Sequence, residues 1–145
     1  MTTMSKISFS HLNTKKLPIL TIANELSVKI WKFVGKMSSY GKHSIGFKLE
    51  ENIYKLRHDI IDANCYELED RLDKILNIRL LYRHIMADID YAMLESNKMN
   101  ITIKQVFDLI SQLQEIEKQL IKWQRWVEKE LSARKINEEM QNLPF

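Results

Sequence analysis

The spacing of the apolar residues is what most limits how this chain can fold. Through residues 19–37, 45–63 and 106–127 they recur at steps of three and four, the period of one helix face. Between Ile75 and Met86 they occupy more than one face, as in a helix that is buried against several neighbours. Only three glycines and two prolines occur in the whole chain, so little in it favours tight turns. The sequence therefore predicts an all-α fold.

Polar segments and capping signals separate four predicted helices. We expect them at residues 18 to about 37, 45 to about 63, about 67–96, and 102 to about 131. Thr102 with Gln105 has the spacing of a capping box, and so has Asn64 with Glu67. One long helix through residues 64–67 is the alternative to a break there. Helices of this length with short connections predict an up-and-down four-helix bundle.

The two ends of the chain differ from the helical domain predicted at residues 17–131. Residues 1–16 lack periodicity and carry three lysines without an acidic residue, which predicts a flexible basic arm. Residues 132–145 form a charged C-terminal extension, which either continues the last helix or frays. The net charge of the chain is only +3, so any affinity for nucleic acid must come from local patches.

Cysteine usage and hydropathy bear on the compartment. A single cysteine, Cys65, excludes an internal disulfide and fits a reducing cytoplasm. No apolar run approaches the ~20 residues of a membrane span, and the first residues lack the apolar core of a secretory signal. We therefore expect a cytoplasmic protein without membrane contact.

Motifs for catalysis are sparse. The sequence has neither a phosphate-binding glycine loop nor an HExxH motif, and a lone cysteine offers no paired thiolates for a metal. His58 with Asp62, and His84 with Asp88, are pairs four residues apart, which we interpret as surface hydrogen-bonded pairs rather than metal sites. We expect no cofactor, no metal and no catalytic site.

One enzymatic pattern stays open as an alternative. Arg79 and His84 have the R-x4-H spacing of the HEPN ribonucleases, which are also small helical bundles. A pattern of two residue types arises easily by chance in a helix rich in arginine.

Two basic stripes are more informative. Lys118, Lys122, Arg125 and Lys129 follow one face of the predicted fourth helix, and Lys29, Lys32 and Lys36 follow one face of the first. Exposed basic side chains on one helix face can neutralise the phosphates of a nucleic acid. The plain alternative is a solvated face, which neighbouring glutamates balance.

Two tryptophans lie off the apolar stripes of their helices. Trp126 is one turn from both Lys122 and Lys129, and Trp31 lies among polar positions of the first helix. A tryptophan on a polar face usually packs on another chain or stacks on a base. We assign both tryptophans to a partner or oligomer interface.

Arg79 and Arg83 interrupt the most apolar segment of the chain. A buried, unpaired guanidinium is very costly, so each must meet a carboxylate, a phosphate or water. A subunit or partner boundary would let their aliphatic stems pack while their charged ends reach a polar group.

Four blocks of the chain, in order, resemble the Avd-like four-helix-bundle proteins. Avd is the accessory variability determinant of diversity-generating retroelements, and its relatives include proteins encoded in ribosomal RNA intervening sequences. The resemblance covers about residues 17–127 and is carried by the segments LPIL…ANELSVKIWKFV (17–34), GFKLEENIYKLRHDIIDAN (46–64), IRLLYR (78–83) and LIKW (120–123).

The resemblance implies a non-enzymatic, homopentameric accessory protein. Such a protein binds the retroelement's reverse transcriptase and its template RNA or cDNA through basic surface, and so supports mutagenic retrohoming. Arg79 and Arg83 match the paired arginines on the family's third helix, and Trp123 matches the tryptophan near the end of its fourth. The alternative within the family is a structural homo-oligomer of the intervening-sequence type, without a polymerase partner.

Overall fold

The computed structural model describes residues 18–144, and the arm predicted at residues 1–16 lies outside them. The all-α prediction is confirmed, since this part of the chain forms helices and no strand. The helices are α1 (Pro18–Gly35), α2 (Ser39–Gly41), α3 (Phe47–Cys65), α4 (Leu68–Leu94), α5 (Ser96–Met99) and α6 (Ile103–Gln141), and a π-helical segment (Lys42–Gly46) joins α2 to α3.

The four long helices pack side by side in a bundle-like arrangement. α1 packs on α3 and α6, and α4 packs on the same two helices, so α1 and α4 occupy opposite corners. Polar contacts show that α4 and α6 run antiparallel. Arg79 donates to Gln124 at 2.6 Å, while Tyr82, further along α4, reaches back to Glu117, which lies earlier on α6.

The main apolar core runs between these helices. Every long helix contributes a stripe at the predicted spacing, and its largest fully buried members include Leu26, Ile30, Leu49, Ile53, Leu56, Ile60, Ile78, Ile85, Ile89 and Leu113. A smaller cluster at one end joins Leu68, Ile75 and Val127. Burying branched aliphatic side chains of this size stabilises each by roughly 1.5–3 kcal/mol, which is the main force holding the bundle.

The break between α3 and α4 exists, but it is built differently from the prediction. Glu67, and not Asn64, occupies the N-cap of α4, and its side chain makes no capping bond. Arg71 takes the structural role instead. Its guanidinium donates to the carbonyl of Tyr66 at 2.7 Å and to that of Asn64 at 3.4 Å, so it satisfies the C-terminal end of α3. Burial lowers the pKa of this nearly inaccessible side chain.

The other connections also differ in detail from the sequence-based boundaries. The connection between the predicted third and fourth helices contains the one-turn helix α5, and Asn100 caps its end in the left-handed conformation with φ of 57°. Before α3, the chain turns at Ser38, whose amide donates to the Met99 carbonyl at 3.0 Å. The predicted capping box of Thr102 and Gln105 is confirmed, with both of its hydrogen bonds present.

The last helix continues to Gln141, so the C-terminal extension is helical. An ion pair of 3.6 Å between Arg134 and Glu69 lies near the start of α4, and every residue from 132 to 144 is exposed. The final two turns of α6 therefore project beyond the rest of the bundle. None of the described helices is both long and apolar enough to span a membrane.

Gly46 provides a test of the close packing between the π-helical segment and α1. A Cβ atom added at Gly46 would lie 2.9 Å from Cγ1 of the buried Val34, closer than carbon atoms tolerate. We expect Gly46→Ala to lower the free energy of unfolding by about 1–3 kcal/mol, measured by urea denaturation. Gly35→Ala is the matched control, because no atom lies within 4 Å of its added Cβ. It should be neutral or up to about 1 kcal/mol stabilising, and equal effects of the two substitutions would contradict this packing.

Candidate nucleic-acid and partner interfaces

The basic stripe of α6 lies on the outer surface of the bundle. Lys118, Lys122, Arg125 and Lys129 are all exposed. Lys118 approaches Glu115 at 3.9 Å, whereas the other three have no ion pair within residues 18–144. Their spacing of four, three and four residues places these positive charges along one side of a rigid helix, where they can follow a phosphate backbone.

Trp126 borders this stripe and keeps 49% of its surface exposed. Trp123, one turn earlier, is half-buried and packs against both apolar clusters. The two side chains leave α6 in different directions. Trp123 points toward the cluster of Leu68, Ile75 and Val127, whereas Trp126 lies on the outer side of the helix, one turn from Lys122 and Lys129.

The lysines of α1 line a groove against the first turns of α6. Lys29, Lys32 and Lys36 share this groove, of about 170 Å³, with Phe33, Gln105, Asp108 and Leu109. Lys29 is neutralised by Asp108, whose Oδ2 is 3.2 Å from its Nζ. Lys32 and Lys36 have no ion pair among the described residues, so they carry the free positive charge of the groove.

The two basic patches are separate. Leu109 ends the α1 groove on α6, and it lies about 14 Å from Lys118, the first residue of the stripe, at 1.5 Å of rise per residue. Trp31 belongs to neither patch, since it lies on the side of α1 that faces α3, away from Lys32 and Lys36. The assignment of Trp31 to a partner or oligomer interface stays a prediction. Such an interface would not include Lys32 and Lys36.

Arg79 and Arg83 have different environments. Arg79 is half-buried and donates through Nη1 to Oε1 of Gln124, which in turn donates through Nε2 to Glu128 at 2.8 Å. The polar partner that the half-buried Arg79 requires is therefore the side-chain amide of Gln124, which the sequence analysis did not identify. Arg83 is exposed and has no ion pair among the described residues. Leu76 and Leu80 complete a shallow groove with the two arginines.

A second groove lies between α3 and α4. It has a volume of about 370 Å³ and is lined by Lys55, Asp59, Asp62, Lys74, Asn77, Leu80, Leu81 and His84. Burial raises the pKa of Asp59 despite the opposing charge of Lys55. The groove holds charges of both signs, and the residues described contain no cluster of three or more His, Cys, Asp or Glu that could hold a metal.

The residues of the ribonuclease-like pattern do not meet within the chain. His84 lines the groove on the α3 side of α4, whereas Arg79 points to α6 and is held by Gln124. Tyr82 lies between them in sequence and is buried, and it donates to Glu117 at 3.1 Å. Burial and the neighbouring Glu117 raise the pKa of Tyr82, so this phenol stays protonated and is no general base.

No protein-family model, no curated protein and no solved structure matches this chain.

The contact between Arg79 and Gln124 can be tested by removing the amide. Gln124→Ala leaves a half-buried guanidinium without its acceptor, and we expect a loss of about 1 kcal/mol in the free energy of unfolding. Gln114→Ala is the matched control, because Gln114 lies on the exposed face of the same helix. Its effect should stay within about 0.5 kcal/mol. Urea denaturation of both variants measures the difference, and equal values would show that Arg79 gains nothing from Gln124.

Proposed function

We propose that the protein is a non-enzymatic, RNA-binding accessory protein, built as an Avd-like up-and-down four-helix bundle and assembled as a homopentamer. It would bind the reverse transcriptase of a diversity-generating retroelement and its template RNA or cDNA. The observation that carries RNA binding is the unpaired, exposed basic face of α6, with Lys122, Arg125 and Lys129 beside the half-exposed Trp126.

The chemistry of this face suits a backbone-reading, sequence-tolerant interaction. Lysine and arginine side chains neutralise phosphates and release condensed counterions. An adjacent tryptophan can stack on an unpaired base of any identity. Lys32 and Lys36 offer a second set of phosphate contacts in the α1 groove, and Lys29 contributes less because Asp108 already neutralises it.

The polymerase part of the proposal is supported by the resemblance of residues 17–127 to the Avd-like proteins. A reverse-transcriptase reading frame beside the gene would favour it, and co-purification of the two proteins is the direct test. Arg83→Glu suits that test better than a change at Arg79, because Arg79 also holds Gln124. If no polymerase co-purifies, a structural oligomer of the intervening-sequence type becomes the better proposal.

RNA binding is tested by a salt series with a long structured RNA. If the α6 stripe contacts phosphates, the logarithm of the association constant should fall linearly with the logarithm of salt concentration. We expect the double change Lys122→Glu and Lys129→Glu to weaken binding at least tenfold and to reduce the magnitude of that slope by about 2.

The matched control changes Lys104 and Lys135 to Glu. Both lysines are exposed on the same helix and have no ion pair in the described region, so the net charge changes equally. This control should bind RNA much more tightly than the stripe variant. If both variants lose the same affinity, the effect is general electrostatics and not a site. If wild-type protein binds no RNA at low salt, the basic face is a solvated surface.

A further inference from the structure

Two contacts show that α1 and α6 run antiparallel. Lys29 meets Asp108 at 3.2 Å, and further along α1 the carbonyl of Lys36 accepts a hydrogen bond of 3.3 Å from Asn100, which precedes α6. Equal numbers of residues counted from Lys29 back to Pro18, and from Asp108 forward along α6, place the start of α1 level with about residue 119. α6 continues to residue 141, so roughly 33 Å of this helix lies beyond α1.

The flank of α6 that borders α1 loses its cover at this level. Gln105, Gln112 and Gln119 follow one another on this flank at seven-residue steps, and each is half-buried. Gln105 also lines the α1 groove, which confirms that the flank faces α1. Trp126 comes at the next step, where the flank meets the outer side of the helix, and it is exposed. The change from half-buried to exposed therefore coincides with the end of α1.

Exposed apolar side chains continue along the uncovered part of α6. They share one side of the helix, at steps of seven, three, four and three residues, and we call them the terminal face: Trp126, Ala133, Ile136, Met140 and Leu143. Ile136 keeps 55% of its surface exposed and Met140 keeps 64%. No described residue outside α6 covers this face, and exposed apolar side chains in one area mark an interaction surface.

The segment that precedes α1 is the part of the chain best placed to cover this face. Residues 1–17 lie outside the described residues, and they join α1 at the level at which the cover of α6 ends. Fully extended, they can span about 56 Å, which exceeds the length of α6 to be covered. They include the apolar residues Met4, Ile7, Phe9, Leu12 and Leu17. Because the segment is covalently attached, its effective concentration at the face is far higher than that of a separate molecule.

We propose that residues 1–17 pack on the terminal face of α6 in the same molecule, in line with α1. Apolar burial holds the segment there, since basic residues occur on both sides of the contact. Lys15 and Lys16 are in the segment, and Lys122 and Lys129 border Trp126. A base that stacks on Trp126 competes with the segment for this side chain. The inference goes beyond the proposed function and needs neither RNA binding nor an oligomer.

A pair of introduced cysteines measures the contact in the full-length protein. Ser10→Cys with Ala133→Cys places one thiol in the segment and one in the terminal face, without removing a large apolar side chain. The natural Cys65 is buried and does not compete. Equilibration with glutathione gives the effective concentration of the two introduced thiols for each other.

The matched control pairs Ser10→Cys with Lys135→Cys. Lys135 is also exposed and lies at the same height as Ala133, but on the opposite side of α6, so an unattached segment reaches both positions equally. We expect the effective concentration to be at least about tenfold higher for the Ala133 pair. Equal values for the two pairs would overturn the proposal.

Substitutions within the segment test whether apolar side chains hold it. Ile7→Ser with Phe9→Ser, added to the Ala133 pair, should reduce the effective concentration to that of the Lys135 pair. Ser5→Ala with Asn13→Ala changes polar residues of the same segment and should leave it unchanged. An effective concentration that survives the loss of Ile7 and Phe9 would contradict the apolar contact.

Salt and molecular mass distinguish the other occupants and forces. Salt screens ion pairs but does not weaken apolar contacts, so about 0.5 M NaCl should not lower the effective concentration of the Ala133 pair. A steep fall would show that charges hold the segment and would overturn the proposal. A disulfide that joins two molecules, seen as a doubled mass in non-reducing electrophoresis, would assign the terminal face to a second copy instead.

Discussion

The structure depends on the burial of the inner stripe of α4. Ile75, Ile78, Ile85 and Ile89 are inaccessible to solvent, and α4 packs on two of the three other long helices. Once this stripe points inward, the helix has no rotational freedom, since a turn of one residue position would bring a charged side chain into the core. The inner stripe therefore decides which residues of α4 meet α6, which face α3 and which remain outside.

The polar groups beside that stripe are satisfied by its neighbours. Arg79 and Tyr82 flank the core on the α6 side, and Gln124 and Glu117 supply their acceptors. At the start of the same helix, Arg71 satisfies the last carbonyls of α3. Hydrogen bonds of this kind add little net stability, but a side chain left without a partner is costly. They therefore add to the specificity of the register that the close-packed core sets between the helices.

Exposed basic residues and exposed apolar residues occupy different parts of the outer surface. Free positive charge lies on α6, at Lys122, Arg125 and Lys129, and in the α1 groove. Exposed apolar side chains lie elsewhere, at Val28, Trp31, Phe47 and Tyr54 on α1 and α3, and at Leu76, Leu80 and Leu94 on α4. The basic and the apolar residues can therefore be substituted separately.

The sequence by itself determined the helical class, the core stripes and the capping box at Thr102, because each depends only on residue spacing within one helix and on hydrogen bonds between residues close in sequence. It also identified the basic stripes, since the side chains of one helix face are fixed by its period. It did not identify Gln124 as the partner of Arg79, because this contact joins residues that are 45 apart in sequence. At the break between α3 and α4, the capping pattern indicated Asn64 and Glu67, whereas the carbonyl of Tyr66 is bound by Arg71, five residues away. The sequence also showed that α4 carries apolar residues on more than one face. Which of these faces is buried and which is exposed was decided only by the packing of α4 on the other helices. Helical period relates residues within one helix, whereas the relation between helices is set by close packing of the assembled core.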